Sequence, residues 1–290
     1  MVLLLPRIIQ TTNAVEGREI SLVDHERRIY ASAEHEPRRA HYLTAILDES
    51  WTTRGPGTSG RPGRRLGTLG SVPAAGEHHP AFEEYCECIF ELREDDLEVI
   101  QARIAERLQV SRPAVSEMMK RMESEGLITS DGGIRLTASG RELAESVVRR
   151  HRLAERFLTD VLKLSWAEAH HEAGKWEHVI SESVEEAMTN LLGDPTTCPH
   201  GNPIPGTSYV APDSSPLAEI EVGAGFTVRR ITEELEFAPG LLEFLEESSI
   251  QPGNRGTVTA SSPDGTLTVE IDGRHIGVGA FASERILVSA

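Results

Sequence analysis

VSRPAVSEMMKRMESEGLITSDGGIRLT, residues 110–137, decides how this chain is read. Ser111 before Arg112 and Pro113 marks a helix start. A hydroxyl can cap the free N–H groups there, and proline's missing N–H costs nothing in the first turn. Val115, Met118, Met119 and Met122 then recur at helical spacing, and Gly126 stands where a C-cap is wanted. Two short apolar runs, 127–130 and 134–137, flank Asp131-Gly132-Gly133 and predict a hairpin. Upstream, Val99, Ile100, Ile104, Ala105 and Leu108 mark a helix ending near Gln109. Phe82, Tyr85, Cys86, Ile89, Phe90 and Leu92 mark another over roughly 80–93. Helix, helix, short turn, helix, hairpin is the order of a winged helix-turn-helix.

Beyond the hairpin the helical period resumes. A long helix over 138–164 carries Leu143, Val147, Val148, Leu153, Phe157, Leu158, Val161 and Leu162 as its apolar stripe. Further helices are predicted over 165–178 and 182–192, before Asp194-Pro195 and a Pro/Gly-rich linker. The period then falls to two, with short strands at 220–222, 226–228, 257–259, 267–271 and 286–288. Asp264-Gly265 and Asp272-Gly273 act as turns, and one helix is expected at 239–247. Five short strands suggest a small SH3-like β-barrel. At the other end, residues 1–78 lack sustained periodicity. Arg/Gly/Pro-rich 54–65 reads as a disordered or misassigned extension, with an Arg-rich arm on DNA phosphates as the functional alternative.

The expected organisation is α+β: an extension over 1–78, a winged helix-turn-helix DNA-binding domain over 79–143, a helical metal-binding and dimerisation domain over 144–206, and an SH3-like domain over 207–290.

Composition narrows the function classes. The chain is 39% hydrophobic and 26% charged, with no apolar run near the ~18 residues of a membrane span. Three cysteines, Cys86, Cys88 and Cys198, are too few and irregular for a disulfide framework, which fits the cytoplasm. A formal charge of −17 argues against a general polyanion binder, but the charge is uneven. Residues 101–152 carry net +3, against −7 for 79–100, −6 for 153–212 and −8 for 213–290. The positive stretch is the helix-turn-helix. Only three lysines occur, so arginine carries the positive charge, as high genomic G+C or a saline cytoplasm would each produce.

In a helix-turn-helix the second helix enters the major groove, N-terminal side chains first. Here it offers Ser111, Arg112, Pro113, Ala114, Ser116 and Glu117, then Lys120 and Arg121. Ser116 suits a base or phosphate, Pro113 and Ala114 suit thymine methyls, and Arg112, Lys120, Arg121 and the wing's Arg135 suit phosphates. Glu117 is tolerable only opposite a cytosine amino group or turned from the backbone.

A second constellation is metal-like. His151 and Glu155 are i, i+4, and His170 shares nearly one face with Glu177 and His178 on the next helix. Imidazole with carboxylate suits Mn(2+) or Fe(2+), with Zn, Co or Ni as further candidates. Glu84, Glu87 and Cys88 on the first helix would let an ion clamp the DNA-reading unit to the domain behind it. Taken singly, each of these is an ordinary surface residue, and Cys198 with His200 in the linker read as bystanders.

These residues carry a resemblance. The stretches 102–108 (ARIAERL), 110–116 (VSRPAVS), 151–160 (HRLAERFLTD), 176–178 (WEH) and 201–206 (GNPIPG) resemble the diphtheria-toxin-repressor family of iron- and manganese-dependent regulators. The resemblance runs over about 80–290. It implies a homodimer joined through the helical domain, a C-terminal SH3-like domain, and metal-driven operator binding that represses metal-uptake genes. By position it implies an ancillary site of His151, Glu155 and His170. The implied activating site has Glu177, His178 and Glu84, with Glu87 matching a further manganese-type carboxylate. Gly174 stands where the family has a ligating Cys or Glu, and Glu117 replaces its usual glutamine. Ala238 and Leu241 fall near the third domain's ligand positions, with Glu236 as a loose substitute.

Two other classes remain open on the residues alone. One is a metal-independent winged-helix regulator sensing a small molecule or redox state through Cys86 and Cys88. The other, a metal-dependent hydrolase, would need a placed general base, and no HExxH run, nucleophile elbow or phosphate-cradling loop is present, so no enzyme is expected.

Overall fold

Ser111 sets where the reading helix begins. Its hydroxyl accepts the Ala114 N–H at 3.3 Å, and the helix runs over Arg112–Ser124 with Pro113 in its first turn. The computed structural model describes residues 80–290 together with the backbone of two upstream strands, β1 (Ile20–Val23) and β2 (Arg28–Ala31). These pair antiparallel, Ile20 opposite Ala31, within a separate unit, Met1–Ser71. No regular element was expected there; the rest of the 1–78 reading, including the Arg-rich arm, lies outside the described residues.

The reading module consists of α1 (Pro80–Glu94), α2 (Gln101–Arg107), α3 (Arg112–Ser124) and the wing strands β3 (Ile128–Thr129) and β4 (Arg135–Leu136). The wing pairs Ile128 with Leu136. Its core joins Ile89, Leu92, Ile104, Val115, Met119, Met122 and Leu127, the same apolar stripes visible in the sequence. The second helix ends at Arg107, earlier than expected, because the backbone turns left-handed at Gln109 (φ 54°).

Thr137 then caps α4 (Ala138–Asp160), accepting the Gly140 N–H at 3.1 Å. α4 stops four residues short of the expected 164, with Lys163 left-handed at φ 61°. A capping box of Ser165 and Glu168 opens α5 (Trp166–Trp176), and α6 (Glu182–Leu192) follows. Leu153, Leu158, Ala169, Ala173, Met188 and Ile204 form the core of this helical layer.

The C-terminal sheet has β5 (Ser215–Pro216), β6 (Gly225–Ile231), β7 (Arg255–Ser261), β8 (Leu267–Ile271), β9 (Arg274–Val278) and β10 (Ile286–Ser289), in the order β5-β10-β6-β7-β8-β9. All neighbours are antiparallel. Short helices α7 (Glu233–Glu236), α8 (Leu241–Glu247) and α9 (Ala280–Ser283) cover it. The strand expected at 220–222 is absent. A 3-10 turn (Leu217–Glu219) occupies the approach, and the edge strand is Ser215–Pro216 instead. Three alternating residues cannot distinguish a strand from a turn. β9, following the Asp272-Gly273 turn, was not foreseen, nor were α7 and α9, which are shorter than two helical turns and show no period. Trp166 of α5 is buried in this third core, so the helical layer and the barrel share a seam.

Candidate metal centre and DNA-reading face

The i, i+4 pair on α4 points at α5. His151 Nε2 lies 3.3 Å from both Glu155 Oε1 and His170 Nδ1, and His170 Nδ1 lies 2.9 Å from Glu155 Oε1. His151 Nδ1 turns the other way and meets Glu177 Oε2 at 2.5 Å. His151 therefore stands between two donor groups. One is His151, Glu155 and His170; the other is His151, Glu177 and Glu87, whose ligand atoms lie within 4.8 Å of one another.

Glu177 and His178 were expected inside a helix. Instead α5 ends at Trp176, and the pair occupies its C-terminal turn, with Glu177 as C-cap. A carboxylate at that end opposes the helix dipole and needs nearby positive charge. His151 and His178 supply it, with His178 Nε2 3.1 Å from Glu177 Oε1. His178 also reaches back to α1: its Nδ1 is 2.6 Å from Glu83 Oε2, and its Nε2 is 3.7 Å from Glu84 Oε1. The α1 partner foreseen was Glu84, which is 54% exposed; the closer contact is Glu83, at 11%. Glu83 escaped notice because it stands one residue off the stacked 84/88 face.

The linker adds donors that sequence reasoning passed over, and the third domain adds Glu236, expected only as a loose substitute. Cys198 and His200, taken as bystanders, are fully enclosed. His200 Nδ1 lies 2.9 Å from Glu236 Oε2, 3.6 Å from Glu155 Oε2 and 3.8 Å from Cys198 Sγ. Glu236, on α7, also approaches His170 at 3.3 Å. Glu155, Cys198 and His200 form a third group with ligand atoms within 4.8 Å. Gly201 permits this close packing: at φ 89°, an added Cβ would sit 2.3 Å from the Arg229 carbonyl oxygen. The Cys-x-His spacing was the available signal, but nothing local showed that the loop folds inward. Ala238 and Leu241 contribute no donor to this cluster.

The centre opens on a cavity of about 500 Å³ lined by Glu84, Glu87, Cys88, His151, Gly174 and Glu177, among others. A Cβ at Gly174 would meet nothing within 4 Å, so the donor missing there leaves free space.

Electrostatics in the metal-free protein follow from crowding. Burial opposes charge on His170, but Glu155 and Glu236 outweigh it and raise it to about 9. Contacts with Glu177, Glu83 and Glu84 lift His178 to about 11. Glu177, despite burial, is held down at about 2 by His151 and His178. Burial and the neighbouring Glu177 carboxylate push Glu87 well above the usual range. Protons therefore hold the places a cation would take. His200 Nε2 is buried without a hydrogen-bond partner, and the donors mix imidazole, carboxylate and one thiol. That chemistry fits a divalent transition metal.

A consequence follows at neutral pH. A metal ion held by His170 and His178 would have to displace their protons, so loading should release protons and weaken as pH falls. Calorimetry with manganese in two buffers of different ionisation enthalpy should give different apparent enthalpies. Equal enthalpies would contradict the protonated resting state.

The residues expected to meet DNA lie mostly at the surface. Arg112, Pro113, Ala114, Glu117, Lys120 and Arg121 are exposed on α3, with Ser116 half-buried beside them. Ser111 is committed to capping. Arg121 lies over Phe82 of α1, 5.4 Å from the ring centre. The wing's Arg135 is exposed and donates to the carbonyls of Asp131 and Gly132, bracing its own turn. Cys86 and Cys88, the redox candidates, are buried, and burial pushes both thiols to about 12. Such thiols are poor redox sensors.

Three family models match the chain. They are the iron-dependent repressor N-terminal DNA-binding domain over 79–132, the iron-dependent repressor metal-binding and dimerisation domain over 137–206, and the FeoA domain over 215–290. The iron-dependent repressor IdeR of Mycobacterium tuberculosis (strain ATCC 25618 / H37Rv) is 41% identical over 206 residues, 67% of this chain and 89% of that one. The diphtheria toxin repressor of Corynebacterium diphtheriae is 45% identical over 138 residues, 47% of this chain and 61% of that one. Among solved structures, a manganese-dependent transcriptional repressor complexed with manganese superposes with TM-score 0.65 at 32% identity, covering 71% of this chain and 98% of its own. ScaR with bound Zn2+ gives 0.60 at 31%, covering 72% and 98%. With both iron-dependent repressor models matched in succession and a 41% identical relative covered over 89% of its length, this chain belongs to the iron-dependent repressor family.

Proposed function

We propose that this chain is a divalent-metal-dependent transcriptional repressor that binds operator DNA as a homodimer to control metal-uptake genes, with manganese or iron as the activating ion. It acts in the cytoplasm as a regulator and not as an enzyme. The observation that carries this reading is the convergence on one buried centre of donors from α1, α4, the end of α5, the linker and α7. Glu87, His151, Glu177 and His178 would hold an ion on the side facing α1, with Glu84 at the rim. Glu155, His170, Cys198, His200 and Glu236 would hold one on the side facing the third domain.

The bound ion supplies positive charge that draws these carboxylates and imidazoles together. The chain's own residues convert this into DNA binding. Glu83, Glu84 and Glu87 lie on α1, so contact with Glu177 and His178 sets how α1 stands on α4 and α5. α1 carries the α2–α3 reader with it. Without the ion, the readers of the dimer sample several spacings; with it, the spacing fitting successive major grooves is favoured. Arg112, Lys120, Arg121 and Arg135 then meet phosphates, while Pro113, Ala114, Ser116 and Glu117 face base edges.

The helical layer offers a second copy an apolar face. Leu162, Val179, Val184 and Leu191 are 50%, 78%, 47% and 64% exposed.

The test is operator binding, on a duplex selected from a random pool, under chelator and then across Mn, Fe, Co, Ni and Zn at fixed salt. Binding should rise at least tenfold with the favoured ion, a ratio within the usual range of allosteric coupling. Chelator-insensitive binding would reject the reading.

A further inference from the structure

A hydrogen-bonded chain runs from the donor cluster to the far end of α1. It starts at Glu236, whose Oε2 faces His200 and whose Oε1 accepts from Asn202 Nδ2 at 2.6 Å. Asn202 is fully buried, and its orientation is chemically fixed. Its amide nitrogen donates to Glu236 and to the Ile231 carbonyl, both pure acceptors, while its oxygen accepts from Arg230 Nε, a pure donor. Arg230 then extends Nη2 to Asp95 Oδ1 at 2.5 Å and to Glu94 Oε2 at 3.2 Å. Asp95 also accepts the Glu234 N–H at 3.3 Å.

A second arm runs parallel. Arg152, with no exposed surface, lies next to His151 on α4. It grips Glu94 with two hydrogen bonds of 2.6 and 3.1 Å, Glu233 Oε1 at 2.7 Å and the Pro203 carbonyl at 2.5 Å. Glu233 and Glu236 occupy the same four-residue helix, α7. Any movement that seats Glu236 therefore moves Glu233 as well. Glu94 closes α1 and Asp95 follows it, about two turns beyond Glu87 and nearly three beyond Glu84.

We propose that Asn202, Arg230 and Arg152 are positioning residues that carry the state of the Glu236 side of the centre to the C-terminal end of α1. On the functional reading above, on which this rests, α1 is then set at both ends: by His178 near its start and by this relay at its close. A buried polar network of this kind tolerates few alternative arrangements, because any unpaired member would be left desolvated.

The test uses the full-length protein with manganese alone as probe, and Asn202→Ala, Arg230→Gln and Arg230→Lys. The lysine variant retains a cation for Asp95 but cannot also reach Asn202, so it separates the relay from simple ion pairing. Two quantities are read: the manganese concentration for half-maximal operator binding, and amide hydrogen exchange over 92–98. We expect wild-type exchange there to slow on adding manganese. All three variants should lose that slowing and shift the manganese midpoint upward about fivefold or more, the lower end of measured allosteric couplings. Arg230→Lys leaves the buried Asn202 oxygen without its donor, so a fall of a few degrees in melting temperature is expected, with the protein still folded under the assay conditions. The double variant Asn202→Ala/Arg230→Lys should be no worse than either single change, since both cut one chain. Unchanged midpoints and exchange in Arg230→Lys, or fully additive effects in the double variant, would overturn the relay. If wild type bound no operator at any metal level, the functional reading would fall, while the exchange measurement would still decide the relay.

Discussion

His178→Ala should leave a folded protein whose operator affinity no longer responds to metal. Among the described residues, His178 is the one imidazole that touches both Glu177 on α5's last turn and Glu83 on α1, at 3.1 and 2.6 Å. Removing it deletes a donor and the link between the domains together. Only differential affinity of metal for the two arrangements can shift their populations. The loss should span most of the coupling, on the order of 5–150-fold in affinity ratio. Glu84→Ala should do less, because Glu84 is 54% exposed and 3.7 Å away. The measurement is a metal titration of operator binding by wild type, H178A and E84A. Equal loss in both variants would restore Glu84 to an equal role. A full response in H178A would remove the α1 bridge as the cause of activation.

The second large effect concerns stability. Glu155 is 1% exposed and faces His151, His170 and His200. Burial opposes its ionisation, yet the neighbouring His200 and His151 cations hold its carboxyl well below the usual range. Its folded-state pKa is lowered, so its stabilising contribution is present above the unfolded carboxylate pKa of about 4 and is lost as pH falls through the lower folded value. Glu155→Ala at neutral pH should leave three buried imidazoles sharing only Glu177 and Glu236, and breaking buried pairs in this way costs roughly 3–5 kcal/mol. For a unit of about this size that corresponds to a fall of roughly 6–20 °C in melting temperature. The donor groups that include Glu155 would also be broken, so adding metal should recover little of the loss. A metal-free melting point within 2–3 °C of wild type would show that the imidazoles do not depend on this carboxylate.

The difference between the two variants reflects where each residue sits. His178 joins two domains at a half-open rim, and its loss is felt in coupling. Glu155 sits at the bottom of the centre, and its loss is felt in folding.

Much of this was legible along the chain. Ser111, Pro113 and the Val115–Met119–Met122 stripe placed the reading helix within a residue of its observed bounds, because caps and amphipathic period act within one or two turns. His151 and Glu155 share a face for the same reason, and His170 opposes them once α4 and α5 pack. Of the elements that were missed, α7, α9 and β5 are two to four residues long and hold their shape only through what they touch, while the five-residue β9 is held by its pairing with β8. The strand expected at 220–222 failed on the same ground: its alternation was real but too short to outweigh the turn beside it.

Local periodicity and turn chemistry were enough to name the winged reader, the long helices and the donors that share a helix face. They could not show that Cys198, His200 and Glu236 join Glu155, or that Asn202 and Arg230 reach Asp95. Those residues are separated by up to about 140 positions, and only the packing of three layers brings them within bonding distance. Spacing on one element is governed by backbone geometry, which every residue declares locally. Convergence between elements depends on which buried polar groups find partners, and that is decided only when the whole chain has folded.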